Sequence, residues 1–173
     1  MAIPVGLIVA AALVVLDQGT KELAEMLLRP GVFVPWLGSR VGWQLVYNPG
    51  GAFGVPAPSW LFLGVTAIVT VIVARALPRT TSLLHAAAYG LLLAGALGNV
   101  VDRLFRAGPP SRSGFADGYV VDFVAWGSFP RFNLADSAIT VGFTLLVLVL
   151  WQEERTGSPD VEDGEHADDE GQR

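Results

Sequence analysis

No cysteine occurs anywhere in the chain, and histidine occurs only as His85, in an apolar stretch, and His166, near the C-terminus. The first absence excludes a disulfide framework, a zinc ribbon and a thiol nucleophile. The second leaves little from which to build a histidine metal site or a Ser-His-Asp triad. Charge is scarce too. Asp, Glu, Lys and Arg make up 16% of the residues, against about 25% in an ordinary soluble domain. What is abundant is apolar: 52% of the 173 residues are hydrophobic. That balance points to a chain that lives in a membrane.

The net charge of −5 is unevenly spread. Residues 153–173 hold nine acids against Arg155 and Arg173, so residues 1–152 carry nine bases against seven acids. The terminal run "EERTGSPDVEDGEHADDEGQR" has no aromatics and almost no aliphatics, and is expected to be disordered and solvated. The expected organisation is a membrane domain over residues 1–152 and a disordered acidic tail over residues 153–173.

Four apolar segments stand out: residues 3–16, running on into "DQGTKELAEMLL", then residues 60–77, 83–101 and 134–151. A spanning helix needs about 20 mostly apolar residues, so the expected fold is an all-α membrane protein with four transmembrane helices. Residues 3–16 read as an anchor rather than a cleaved leader, because no Lys or Arg precedes the apolar run and the helical pattern continues past it. Between the first two spans, residues 29–59 alternate short β-branched and aromatic runs with Gly and Pro, which predicts a small β-sheet. The link "PRTTS" is a tight turn, and residues 102–131 read as a long irregular segment. Four spans put both termini on one side. Counting Lys and Arg gives seven on the side of the long connections and four on the terminal side, which taken literally puts the long connections inside.

The polar residues in or beside the spans are Asp17, Lys21, Asn48, Asn99, Asp102, Arg103, Asp122, Asn133 and Asp136, all on the side of the long connections. Asp17 and Lys21 share a helical face and can pair; so do Asn99, Asp102 and Arg103. A structural network at the helix ends accounts for these groups as well as a functional one does. Asp136 admits two readings. Asn133 and Asp136 have the spacing of a helix cap, yet an acid at a membrane helix centre costs about 2.5–3.5 kcal/mol and is functional by default. Asp122, in "YVVDFVAW", has no such cap to explain it. Two converging carboxylates share a proton, one drawing a proton from water and the other donating to a carbonyl. A small proton- or ion-coupled carrier and a non-catalytic assembly factor remain alternatives for the same acids. The three glycines of "NPGGAFG", Gly51 among them, would let an extended backbone approach Asn48, or form a plain turn. Trp36, Trp43, Tyr47 and Trp60 suit a membrane interface.

The blocks "DQGTK" (17–21), "YNPGGAFG" (47–54), "GNVVDR" (98–103), "VVDF" (120–123) and "FNLADSAI" (132–139), set in this order around four spans, resemble the lipoprotein signal peptidases (signal peptidase II), bacterial intramembrane aspartyl proteases. The resemblance implies that Asp122 and Asp136 are the catalytic pair. It implies that Asn99, Asp102, Arg103, Asn133, Ala135, Asp17 and Lys21 support the site, and that Asn48 lies along the substrate path. It further implies cleavage of diacylglyceryl-modified prolipoproteins before the lipid-bearing cysteine. The expected location is the bacterial cytoplasmic (inner) membrane, with both termini cytoplasmic and the site near the extracytoplasmic face, against the literal charge count. Prolipoprotein and membrane lipid are the expected partners. No metal, cofactor or nucleic acid is expected, and the chain is expected to act as a monomer. Two features depart from the family pattern: a longer stretch between Arg103 and Asp122, and the acidic tail.

Overall fold

The computed structural model describes residues 2–49, 59–106 and 118–157. The four apolar segments are helices α1 (Ala2–Leu27), α2 (Ser59–Ala76), α3 (Leu83–Phe105) and α4 (Leu134–Gly157). All four are long and apolar enough to cross a membrane, and a helix satisfies its own backbone where no water can. Outward-facing side chains such as Ile8, Val15, Ile68 and Phe143 are exposed, which in hydrocarbon is no penalty. Helix α1 runs unbroken through Asp17 to Leu27. A single 3-10 turn at Leu77–Arg79 joins α2 to α3, whose first turn is capped by Ser82.

Lipid gives helices no hydrophobic reason to associate, so close backbone packing through small residues has to hold them. Helix α3 is the hub. At Gly90 an added Cβ would stand 2.5 Å from the Gly6 carbonyl oxygen of α1, and at Gly95 one would stand 2.4 Å from the Ala135 carbonyl oxygen of α4. Ala86, Ala88, Ala94 and Ala96 on the same helix are buried. The small residues of "LLHAAAYGLLLAGALGNVV" thus put α3 at the centre.

Strands β1 (Val34–Leu37), β2 (Val41–Asn48) and β3 (Val120–Trp126) form one antiparallel sheet in the order β1-β2-β3. The first two are a hairpin between α1 and α2, with Gly38 in the left-handed region at φ 61°. The third corrects the expectation of irregular chain between α3 and α4. "VVDFVAW" becomes a strand because β2 offers it an open edge, pairing Val46 with Asp122, Tyr47 with Val121 and Asn48 with Val120. The sheet rests on the end of α1 through the buried cluster Ala24, Leu45, Val121 and Phe123. A second cluster, Ala2, Val73, Leu77 and Ala86, closes the opposite end of the bundle.

Two boundaries differ from those expected. Helix α3 continues past residue 101 to Phe105, and α4 continues past residue 152 to Gly157. The added turn of α4 has partners: Glu153 lies 3.6 Å from His85, and the Arg155 guanidinium sits 4.2 Å over the Trp151 ring. Residues 158–173, Gly51 and most of the stretch 104–119 lie outside the described residues.

Replacing Gly95 by Val should lower stability by about 1–3 kcal/mol through overpacking, read as a lower unfolding temperature in detergent. Gly64→Ala is the control, because an added Cβ there meets nothing within 4 Å.

Candidate active site

Lys21, on α1, is fully buried. A buried ammonium survives only when paired and hydrogen-bonded. Its Nζ lies 2.8 Å from Asp17 Oδ2, one turn back, and 2.9 Å from Asp102 Oδ2 on α3, and donates to Asn99 Oδ1 at 3.1 Å. Each of the two carboxylates also holds a backbone N–H from another element. Asp17 Oδ1 accepts from Ala135 N at 2.9 Å, and Asp102 Oδ2 accepts from Val121 N at 3.1 Å. The approach of α1 to α3 here requires Gly98, where a Cβ would stand 2.6 Å from Asp17 Oδ2.

Those two backbone bonds are adjacent in sequence to Asp136 and Asp122. At the start of α4, Asp136 N donates to Asn133 Oδ1 at 3.0 Å and Asn133 N donates to Asp136 Oδ2 at 3.2 Å. This is a reciprocal cap with Asp in the acid position. The cap uses one carboxylate oxygen of Asp136. The other, Oδ1, accepts from Asn99 Nδ2 at 2.8 Å. Capping and a place in the polar site are therefore compatible uses of one side chain.

Asp122, on β3, is 3% exposed. Because it faces Val46 in the ladder, Asn48 is its diagonal neighbour on the same face of the sheet. Asn48 Nδ2 donates to Asp122 Oδ2 at 3.0 Å, and Asn133 Nδ2 donates to Asp122 Oδ1 at 2.7 Å. Asn133 reaches the strand because the chain after β3 turns at Gly127 (φ 52°) and pairs back, Val124 N donating to Phe132 O at 2.8 Å. Burial first, and the charge of Asp136 second, push the Asp122 carboxyl up to about 7, against the lowering effect of the two asparagines.

The remaining sequence candidates fall around this core. Ala135 is buried and contributes its N–H, as above. Arg103 donates to Asn99 O at 3.1 Å and lies 4.2 Å over the Phe62 ring of α2. Of the interface aromatics, Trp36 stacks on Trp43 at 5.6 Å on the sheet. Two residues that sequence reasoning missed belong to the network. Gln18 Nε2 donates to Asp17 Oδ2, Gly98 O and Asp102 Oδ1 at 3.0–3.1 Å, and an uncharged side chain inside "DQGTK" gave no signal. Arg106 pairs with Asp102 at 3.0 Å; its i+4 spacing was readable only once α3 was known to run past residue 101.

A sequence model of the family described as signal peptidase (SPase) II matches residues 9–152, the span that holds every side chain of this network. The chain belongs to the signal peptidase II family. Relatives named lipoprotein signal peptidase include that of Mycobacterium avium, 42% identical over 82% of this chain and 75% of its own length. Those of Mycobacterium leprae and Rhodococcus jostii are 40% and 41% identical, over 82% of this chain and 68% and 70% of theirs. Two solved structures described as bacterial membrane enzymes superpose with TM-scores of 0.78 and 0.73 at 27% and 28% identity, covering 91% and 87% of this chain and 94% and 95% of theirs. As a signal peptidase II with four membrane-crossing helices, the chain is a multi-pass membrane protease.

The raised Asp122 carboxyl fixes the sign of a pH effect in this signal peptidase II. The folded state holds that proton more tightly than the unfolded chain, so the contribution to stability is full at low pH. It is lost as pH rises between the ordinary 3.8 and about 7. The unfolding temperature of Asp122→Asn, measured in detergent across this range, should therefore gain on that of the wild type as pH rises. In Asp136→Asn, which removes the neighbouring charge, the Asp122 carboxyl band in infrared titration should show a lower midpoint.

Proposed function

We propose that the chain is an aspartyl endopeptidase that removes the signal peptide from diacylglyceryl-modified prolipoproteins, cutting before the lipid-bearing cysteine. The observation that carries this reading is Asn133, which donates through Nδ2 to Asp122 and through its backbone N to Asp136. One residue thereby joins a buried carboxylate on a strand to a half-buried one at a helix start. The name of the relatives, lipoprotein signal peptidase, supports the substrate class.

The pair holds one proton near neutral pH, resting on Asp122, whose carboxyl is pushed up to about 7. Asp136 takes a proton from water as the water oxygen bonds to the scissile carbonyl carbon, and Asp122 gives its proton to the carbonyl oxygen. The resulting diol collapses: one hydroxyl proton returns to Asp122, the proton on Asp136 passes to the amide nitrogen, and the C–N bond breaks. The products are a signal-peptide acid and the free amine of the lipidated cysteine. Water is the nucleophile, so no acyl-enzyme forms. Asn48 and Asn133 hold Asp122 in place, and Asn99 holds Asp136, which keeps reorganisation during the reaction small. Gly51, three residues after Asn48 in sequence, is assigned to the substrate path on sequence grounds alone, a glycine having no side chain to oppose an extended backbone. A lipidated substrate reaches the site by lateral diffusion, with the site near the extracytoplasmic face and both termini cytoplasmic.

Wild type in lipid should release the signal peptide from a diacylglyceryl-modified prolipoprotein, followed by gel shift, while folded Asp122→Asn and Asp136→Asn each lose at least about a thousandfold in rate. Cutting by either variant at the wild-type rate sinks the dyad. Orientation is tested separately, since a chain without cysteine takes single probes cleanly. In intact cells a membrane-impermeant maleimide should label Ser39→Cys and spare Thr80→Cys; the reverse pattern would put the sheet inside.

A further inference from the structure

Arg106 stands just past the end of α3, its N–H bonded to Asp102 O at 2.9 Å. Its guanidinium reaches three carboxylates on two helices: Asp102 Oδ1 at 3.0 Å, Glu22 Oε1 at 2.9 Å, and Glu25. Three contacts lying in the plane of one guanidinium are a geometry that the tetrahedral ammonium of a lysine does not reproduce. Two of the three lead onward to the sheet. Asp102, the fully buried partner, holds Val121 N with its other oxygen. Glu25 also stands near the Tyr47 phenol, whose proton is held more tightly through partial burial and the nearby Glu25 charge, and the Tyr47 ring lies 4.4 Å from that of Tyr119. Tyr47 and Val121 are partners in the β2–β3 ladder. They are also the residues immediately beside Asn48 and Asp122.

One side chain therefore reaches both ends of the rung next to the Asn48–Asp122 hydrogen bond, Val121 through the Asp102 hydrogen bond and Tyr47 through the Glu25 charge, without any part in that bond itself. The third carboxylate, Glu22, is 64% exposed and has no contact onward to the sheet among the described residues. We infer that Arg106 is a positioning residue for the reaction: through Asp102 and Glu25 it sets the Tyr47–Val121 rung, and so the placement of Asp122 against Asn48. The inference rests on the proposal that Asp122 reacts. A displacement of a reacting group by about 1 Å costs on the order of a hundredfold in rate, and the effect of a positioning residue falls on kcat rather than on KM.

The test is steady-state kinetics of the full chain in lipid on a diacylglyceryl-modified prolipoprotein. Arg106→Gln should lower kcat about 10–100-fold and leave KM within about threefold, the pattern of a lost transition-state interaction. Arg106→Lys, which keeps the charge and loses the fork, should fall between. Tyr47→Phe, which cuts only the link from Glu25 to β2, should lower kcat with KM unchanged. Glu22→Gln, at the exposed arm, should keep kcat within about twofold. An unchanged kcat in Arg106→Gln overturns the inference, as does a loss that Glu22→Gln shares. If Arg106→Gln does not fold, Tyr47→Phe decides, and wild-type kcat in it overturns the inference. Failure of the underlying reading looks different: Asp122→Asn then cuts, or wild type does not.

Discussion

A lysine ammonium placed inside a four-helix membrane bundle has to be neutralised where it stands, and most of the architecture around the site can be traced to that demand. Lys21 is met by Asp17 and Asp102. Removing Lys21 would leave Asp17 a buried charge without its cation, at a cost of about 3–5 kcal/mol. Each carboxylate in turn has lone pairs to spare, and they are filled by backbone N–H groups from α4 and β3. The ion cluster that ties α1 to α3 thus also pins the two segments that carry Asp136 and Asp122.

The bundle is held differently at different depths. Through the apolar part, close backbone contact at Gly90 and Gly95 does the packing, because lipid offers no hydrophobic drive between helices. At the sheet end, directed polar contacts take over, and they fix orientation as well as distance. Three asparagines, Asn48, Asn99 and Asn133, supply donors to the two carboxylates without adding charge. A cation in their place would hold Asp122 ionised; amides leave burial and the Asp136 charge free to push its carboxyl up to about 7.

Several side chains serve structure and site at once. Asp136 closes a helix cap with one oxygen and meets Asn99 with the other. Asn133 caps α4 and bonds to Asp122. Such sharing leaves little freedom to substitute these residues.

The helices were legible in the linear pattern because a spanning segment announces itself by length and lack of charge, both local properties. The cap at Asn133 and Asp136 and the Asp17–Lys21 pair were legible for the same reason, each lying within one helical turn. Strand β3 was not, since seven residues with no local turn partner become a strand only when an edge 72–85 positions away accepts them. Gln18 and Arg106 escaped notice because their roles depend on carboxylates brought in from other helices. The sequence by itself determined four membrane-crossing helices, a small sheet between the first two and a polar face at one end. Only the tertiary structure decided that Asn48, Asn99 and Asn133 converge on two particular carboxylates. That convergence is set by antiparallel strand register and by glycine-limited helix approach, neither of which any single segment contains.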